Sequence, residues 1–155
     1  MSRATLCAAL AAIVVQLPLF GVLGLLPMMA TGGFDAGDIG FYVTAVLLVA
    51  VATVLLLGLP VFALLRSTGR ANAGTVALAG LCIGALPVAL LGWPYHGLYG
   101  GYSSQGVWLG RAVELYRNGV PGLYAWLDYL VSMGRLGLQG LVGGLVFYWV
   151  WRRVG

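Results

Sequence analysis

Lysine is absent from this sequence, acids are scarce and histidine occurs once: eight arginines stand against four carboxylates. Charged residues make up 8% of the chain, where a soluble domain carries roughly a quarter, so a water-exposed globular surface is excluded. The arginines come singly or in pairs, at Arg3, Arg66, Arg70, Arg111, Arg117, Arg135 and Arg152-Arg153. With no cluster or stripe of them, the net charge of +4 excludes a nucleic-acid partner and reads instead as a topology signal. The single histidine, His96, has no cysteine near it and cannot build a zinc site. Asp35 and Asp38, set among Gly32, Gly33 and Gly37, supply too few oxygens for calcium, which takes about six to eight. No metal and no cofactor is expected. Cys7 and Cys82 both fall inside apolar runs and read as small buried hydrophobes, not disulfide halves.

Catalytic signatures are missing too. Ser103, Ser104, His96, Glu114 and Asp128 include the residue types that catalysis uses, but no spacing brings them together and no nucleophile-elbow glycines flank either serine. An enzyme is not expected.

What the chain has in excess is apolar length. Hydrophobic residues make up 61% and the mean hydropathy is +1.00, which places the chain among integral membrane proteins. Spans are predicted at about residues 6–29, 41–65, 73–93 and 129–151 of one membrane domain covering 1–155. The first run is too long for a signal-peptide core, and Met28-Met29-Ala30 lacks the small residues of a cleavage site, so it reads as an uncleaved span. Gln16 and Pro18 lie near its middle, and Gln16 reads as one helix-to-helix hydrogen bond. Residues 66–72 form a tight basic turn. Gly80-x-x-x-Gly84 and Gly140-x-x-x-Gly144 put small residues on one side of the third and fourth spans, and these helices are expected to pack together there. The apolar run from Leu136 to Trp151 is short for a ~30 Å hydrocarbon core, so the last span is expected to begin earlier, near Tyr129, drawing Arg135 below the interface.

Arg3, Arg66, Arg70, Arg152 and Arg153 fall on one side of this topology, and every acid falls on the other. The positive-inside rule then makes both termini cytoplasmic in a bacterial-type inner or plasma membrane and puts residues 94–134 outside. That outside segment carries His96 and the aromatics Tyr95, Tyr99, Tyr102, Trp108, Tyr116, Tyr124, Trp126 and Tyr129, whose amphipathic rings suit the headgroup zone. Ser103 or Ser104 as N-cap, Gly119 at the C′ position and Pro121 beyond it predict a short amphipathic interfacial helix ending near Asn118. Arg111, Glu114 and Asn118 would form its polar stripe. Pro121 can equally open the next helix. Asp128 and Arg135 sit two turns apart on one face, and a buried Arg135 calls for a carboxylate among Asp128, Glu114, Asp35 and Asp38.

The fold class expected is therefore all-α: four transmembrane helices in one bundle with an external aromatic-rich segment between the third and fourth. The leading function is non-enzymatic, a binding, accessory or protective protein working through its external face, an immunity protein against a membrane-acting toxin being one example. Arg135, Asp128, His96, Glu114 and Arg111 are the candidate ligand or partner residues. The expected partners are the bilayer and another membrane or extracytoplasmic protein, with homo-oligomers compatible. The competing class is a small oligomeric transporter or channel, which needs mid-membrane polar groups such as Gln16, Thr44, Thr53 and Gln139. A lipid-acting enzyme ranks third and would need His96 and Asp128 within hydrogen-bond reach.

Overall fold

A computed structural model describes residues 2–26, 38–94, 103–108 and 110–155. Four of its helices are long and apolar enough to cross a membrane: α1 (Arg3–Leu25), α2 (Ile39–Ser67), α3 (Ala73–Leu91) and α4 (Leu123–Val154). At 1.5 Å per residue the 19 residues of α3 reach roughly 28 Å, close to a bilayer's hydrocarbon thickness. The fourth helix has 32 residues and starts at Leu123, earlier than the position near Tyr129 that bilayer thickness alone suggests. The glycine-rich turn holding Asp35 lies outside the described residues, as do Tyr95, His96, Tyr99 and Tyr102.

Local chemistry sets the helix ends. Ser2 caps α1, its Oγ accepting from the Thr5 amide at 3.3 Å. The second helix closes in a Schellman motif: Gly69 takes φ +69°, the Gly69 amide donates to Arg66 O at 3.1 Å, and the Arg70 amide donates to Leu65 O at 2.8 Å. Asn72 and Thr75 then cap α3 reciprocally, with the Thr75 amide on Asn72 Oδ1 at 2.9 Å and the Asn72 amide on Thr75 Oγ1 at 3.2 Å. Pro18 and Pro60 each lie near a widened π-type turn, Gly21–Leu25 and Val54–Gly58, where the backbone ladder shifts register.

The described chain divides into two compact units, Met1–Gly84 with Gly137–Gly155, and Ala85–Leu136. The first unit is a four-helix bundle cored by small and aromatic residues. Ala8, Ala9 and Ala12 form a thin seam on α1, fully buried at Ala8, and join Phe62, Val76 and Phe147. Phe62 meets the edges of Phe147 and Trp151 at ring-centre distances of 4.7 and 5.1 Å. Long aliphatic side chains such as Leu6, Leu10, Leu48, Leu56 and Leu78 point outward instead, an arrangement compatible with an apolar solvent.

The α3–α4 contact is made backbone to backbone. A Cβ added at Gly80 would collide with the Gly140 carbonyl, and one added at Gly140 would collide with the Gly80 carbonyl and reach the Gly84 Cα at 3.0 Å. A Cβ at Gly144 would lie 2.6 Å from Val76 O. Only glycine permits this approach. One turn further along α4, Gly143 leaves room for Gln16 on α1, whose Nε2 donates to Ala12 O at 3.3 Å and across to Gln139 O at 3.4 Å.

In the second unit the expected amphipathic helix is replaced by a sheet. Strands β1 (Ser104–Trp108), β2 (Arg111–Arg117) and β3 (Val120–Pro121) pair antiparallel in that order. Glycine explains the difference. Gly106 and Gly110 would each cost a helix interior about 1 kcal/mol, and Gly110 takes φ +78° beside the Trp108–Arg111 pair that ends the first hairpin. Asn118 and Gly119 take φ +52° and +78° between the paired Arg117 and Val120. That is the two-residue type I′ turn that Asn-Gly favours, so Gly119 is a hairpin residue and not a helix terminator. Pro121 belongs to β3 opposite Tyr116, and does not open α4.

Candidate functional site

Strand alternation gives the sheet two unlike faces. Ser104, Gly106, Trp108, Val113 and Leu115 lie on the more covered face. The register shifts between Ser104 and Gln105, so one extra residue is inserted in β2, and the Leu115 side chain fills the space over Gly106. Trp108 reaches Tyr124 at 6.2 Å, and the Gly122 amide donates to Leu115 O at 2.8 Å, which ties the hairpin to the start of α4. The opposite face is open and presents Gln105 across from Glu114 and Val107, 73% exposed, across from Ala112.

Below the start of α4, Trp93, Trp126 and Tyr129 meet edge to face at 5.2, 5.6 and 6.3 Å. Tyr129 is 9% exposed, and its hydroxyl donates to Ala89 O at 3.4 Å, so the ring's polar tip is satisfied inside the unit. Composition signalled the aromatics, but the pairing of Trp93 with Trp126 and Tyr129 crosses a long stretch of chain, and no local pattern marks it.

Of the five candidate residues, no two form an ion pair with each other among the described residues. Glu114 pairs with Arg117, Oε1 to Nε at 3.9 Å, with side chains 51% and 80% exposed. The bulge in β2 makes this i, i+3 contact possible, and a water-exposed pair of that length contributes at most about 0.2–1 kcal/mol. Arg111 is exposed at the hairpin end and is not paired with Glu114. Thus the expected stripe of Arg111, Glu114 and Asn118 does not form: Glu114 faces out from β2 while Asn118 turns the chain, its amide donating to Ser103 Oγ at 3.1 Å. Asp128 and Arg135 are both exposed on α4, and among the described residues neither forms an ion pair. His96 lies outside the described residues.

Among the described residues no group of three histidines, cysteines or acids is placed to hold a metal ion. Two polar side chains of the spans bond backbone carbonyls: Gln16 Nε2 donates to Ala12 O and Gln139 O, and Thr44 Oγ1 donates to Gly40 O at 2.8 Å. The second unit presents an exposed strand face with the Glu114–Arg117 pair and the apolar Val107 and Ala112. Comparison with known proteins finds no family model, no characterised protein and no solved structure that matches this chain.

Proposed function

We propose that this is a multi-pass protein of an inner or plasma membrane, with cytoplasmic termini, that binds a membrane or extracytoplasmic protein through the outward face of its hairpin sheet. The observation that carries the reading is the sheet itself, with one face anchored through Trp108 and the other presenting Gln105, Val107, Ala112 and Glu114. A small, preformed surface with an apolar centre and a polar margin suits protein recognition better than catalysis. The engagement of Gln16 and Thr44 with backbone carbonyls argues against a conducting path through the spans, and so against the transporter reading. An accessory or protective role, of the immunity type among others, fits a surface that binds without reacting.

A photoreactive residue placed at Val107 or Ala112 in cells tests this. Discrete crosslinked adducts to another protein are expected from those two sites and not from Leu56, which faces outward on α2. If neither sheet position yields an adduct while purified protein carries ions across vesicles, the transporter reading replaces this one.

A further inference from the structure

The bundle unit carries a second surface feature, a groove of about 830 Å³ along the last turns of α4, bordered also by Ala73 at the start of α3. Its mouth is basic and its wall is apolar. Arg152 and Arg153 stand at the mouth, and Leu145, Val146 and Trp149 line the stretch that continues into the span. The Arg153 guanidinium lies 3.5 Å from the centre of the Trp149 ring, one turn back on the same helix. This cation–π contact holds the charge at the level of the indole instead of letting it extend into water. Both arginines are exposed, and neither has an acidic partner among the described residues. The nearby α2–α3 turn adds Arg66 and Arg70 and no acid, and Arg66 lies 5.8 Å from the ring of Trp151. The positive end of the α3 backbone dipole opens at Ala73 and adds to the same field.

The geometry points to a binding site for an anionic phospholipid, its phosphodiester held by Arg152 and Arg153 and one acyl chain laid against Leu145, Val146 and Trp149. Two guanidinium groups with free planar forks match phosphate oxygens bidentately, which a point-like ammonium does not do. An open groove on the outer side of a spanning helix, apolar below and cationic above, fits an amphiphile standing in the bilayer and not a water-soluble anion. A zwitterionic headgroup would bring its own cation toward the arginines and bind less well. The inference rests on the membrane reading and is independent of the sheet and its partner.

The test uses the full chain, released in mild detergent and offered equimolar phosphatidylglycerol and phosphatidylcholine, with retained lipid counted by native mass spectrometry. Preferential retention of phosphatidylglycerol is expected, falling roughly fivefold for Arg152→Gln or Arg153→Gln. Arg70→Gln, which removes the same single charge outside the groove, is expected to retain most of the preference. Equal loss in that control would reduce the effect to bulk positive charge and overturn the site. No preference in the unmodified protein would overturn it as well, whether or not the arginine variants fold.

Discussion

At Gln16 a single amide joins two helices, and its neighbour is chosen to admit it. A Cβ at Gly143 would lie 2.7 Å from Gln16 Nε2, so Gly143→Ala pushes the amide off Gln139 O. Gln16→Ala should lower thermal stability in detergent by about 0.6–1.7 kcal/mol, the range for hydrogen bonds between membrane helices. Gly143→Ala should then cost less in the Gln16→Ala background than alone, because the group it displaces has gone. Full additivity would mean the two side chains do not share this space. Arg135 gives the opposite expectation. It is exposed and makes no ion pair among the described residues, so Arg135→Gln and Asp128→Asn should add to within about 0.5 kcal/mol in a double-mutant cycle. A coupling above about 1 kcal/mol would show that the two close on each other in the bilayer.

Elements here are decided by glycine, in two opposite senses. Along α3 and α4, glycine permits contact: Gly80→Leu or Gly144→Leu should separate the helices and destabilise the bundle by about 1–3 kcal/mol or more, as overpacking does, whereas Leu90→Ala on an exposed face should be mild. Equal melting of all three variants would remove the α3–α4 seam. In the hairpin, glycine permits turning. Gly110→Ala would strengthen a helix interior by up to about 1 kcal/mol, but at φ +78° it should weaken the sheet by roughly 1–2 kcal/mol, so the sign of the change in protease resistance of this segment separates the two structures. Both glycine roles leave traces in the sequence, but of different clarity. Small-x-x-x-small spacing in an apolar run has one common use. Gly106, Gly110 and Asn118-Gly119 lie among charged and aromatic residues whose spacing also fits an amphipathic helix, and only the paired register settles which period applies.

For the whole molecule, the orientation in a bilayer turns on where the arginines lie. In the bundle unit Arg66 stacks over Trp151, and a Cβ at Gly155 would lie 3.3 Å from the Ala4 Cβ, so the start of α1, the α2–α3 turn and the end of α4 share one end. Arg3, Arg66, Arg70, Arg152 and Arg153 gather there, and under the positive-inside rule this end is the one proposed to be cytoplasmic. Reporter fusions after Gly69 and Val154 should be cytoplasmic, and a fusion after Asn118 should lie outside. A cytoplasmic signal after Asn118 would reject this orientation and with it the extracytoplasmic partner.

Four spanning-length helices, their order and the asymmetric placement of charge are properties of the sequence alone, because hydrophobic length and arginine count act through the solvent and need no partner segment. The glycine seam could be named in advance for a similar reason, since lipid gives helices no hydrophobic drive to associate and leaves close backbone contact as the main source of attraction. Three things required the tertiary structure. The segment before α4 became a sheet because strand pairing is non-local, so Ser104 to Trp108 acquire their conformation only from Arg111 to Tyr116. The aromatic cluster needed Trp93 to be brought to Trp126 and Tyr129. The groove at Arg152 and Arg153 needed the first residue of α3 to stand beside the last turns of α4, a juxtaposition that helix packing creates and no single stretch of sequence encodes.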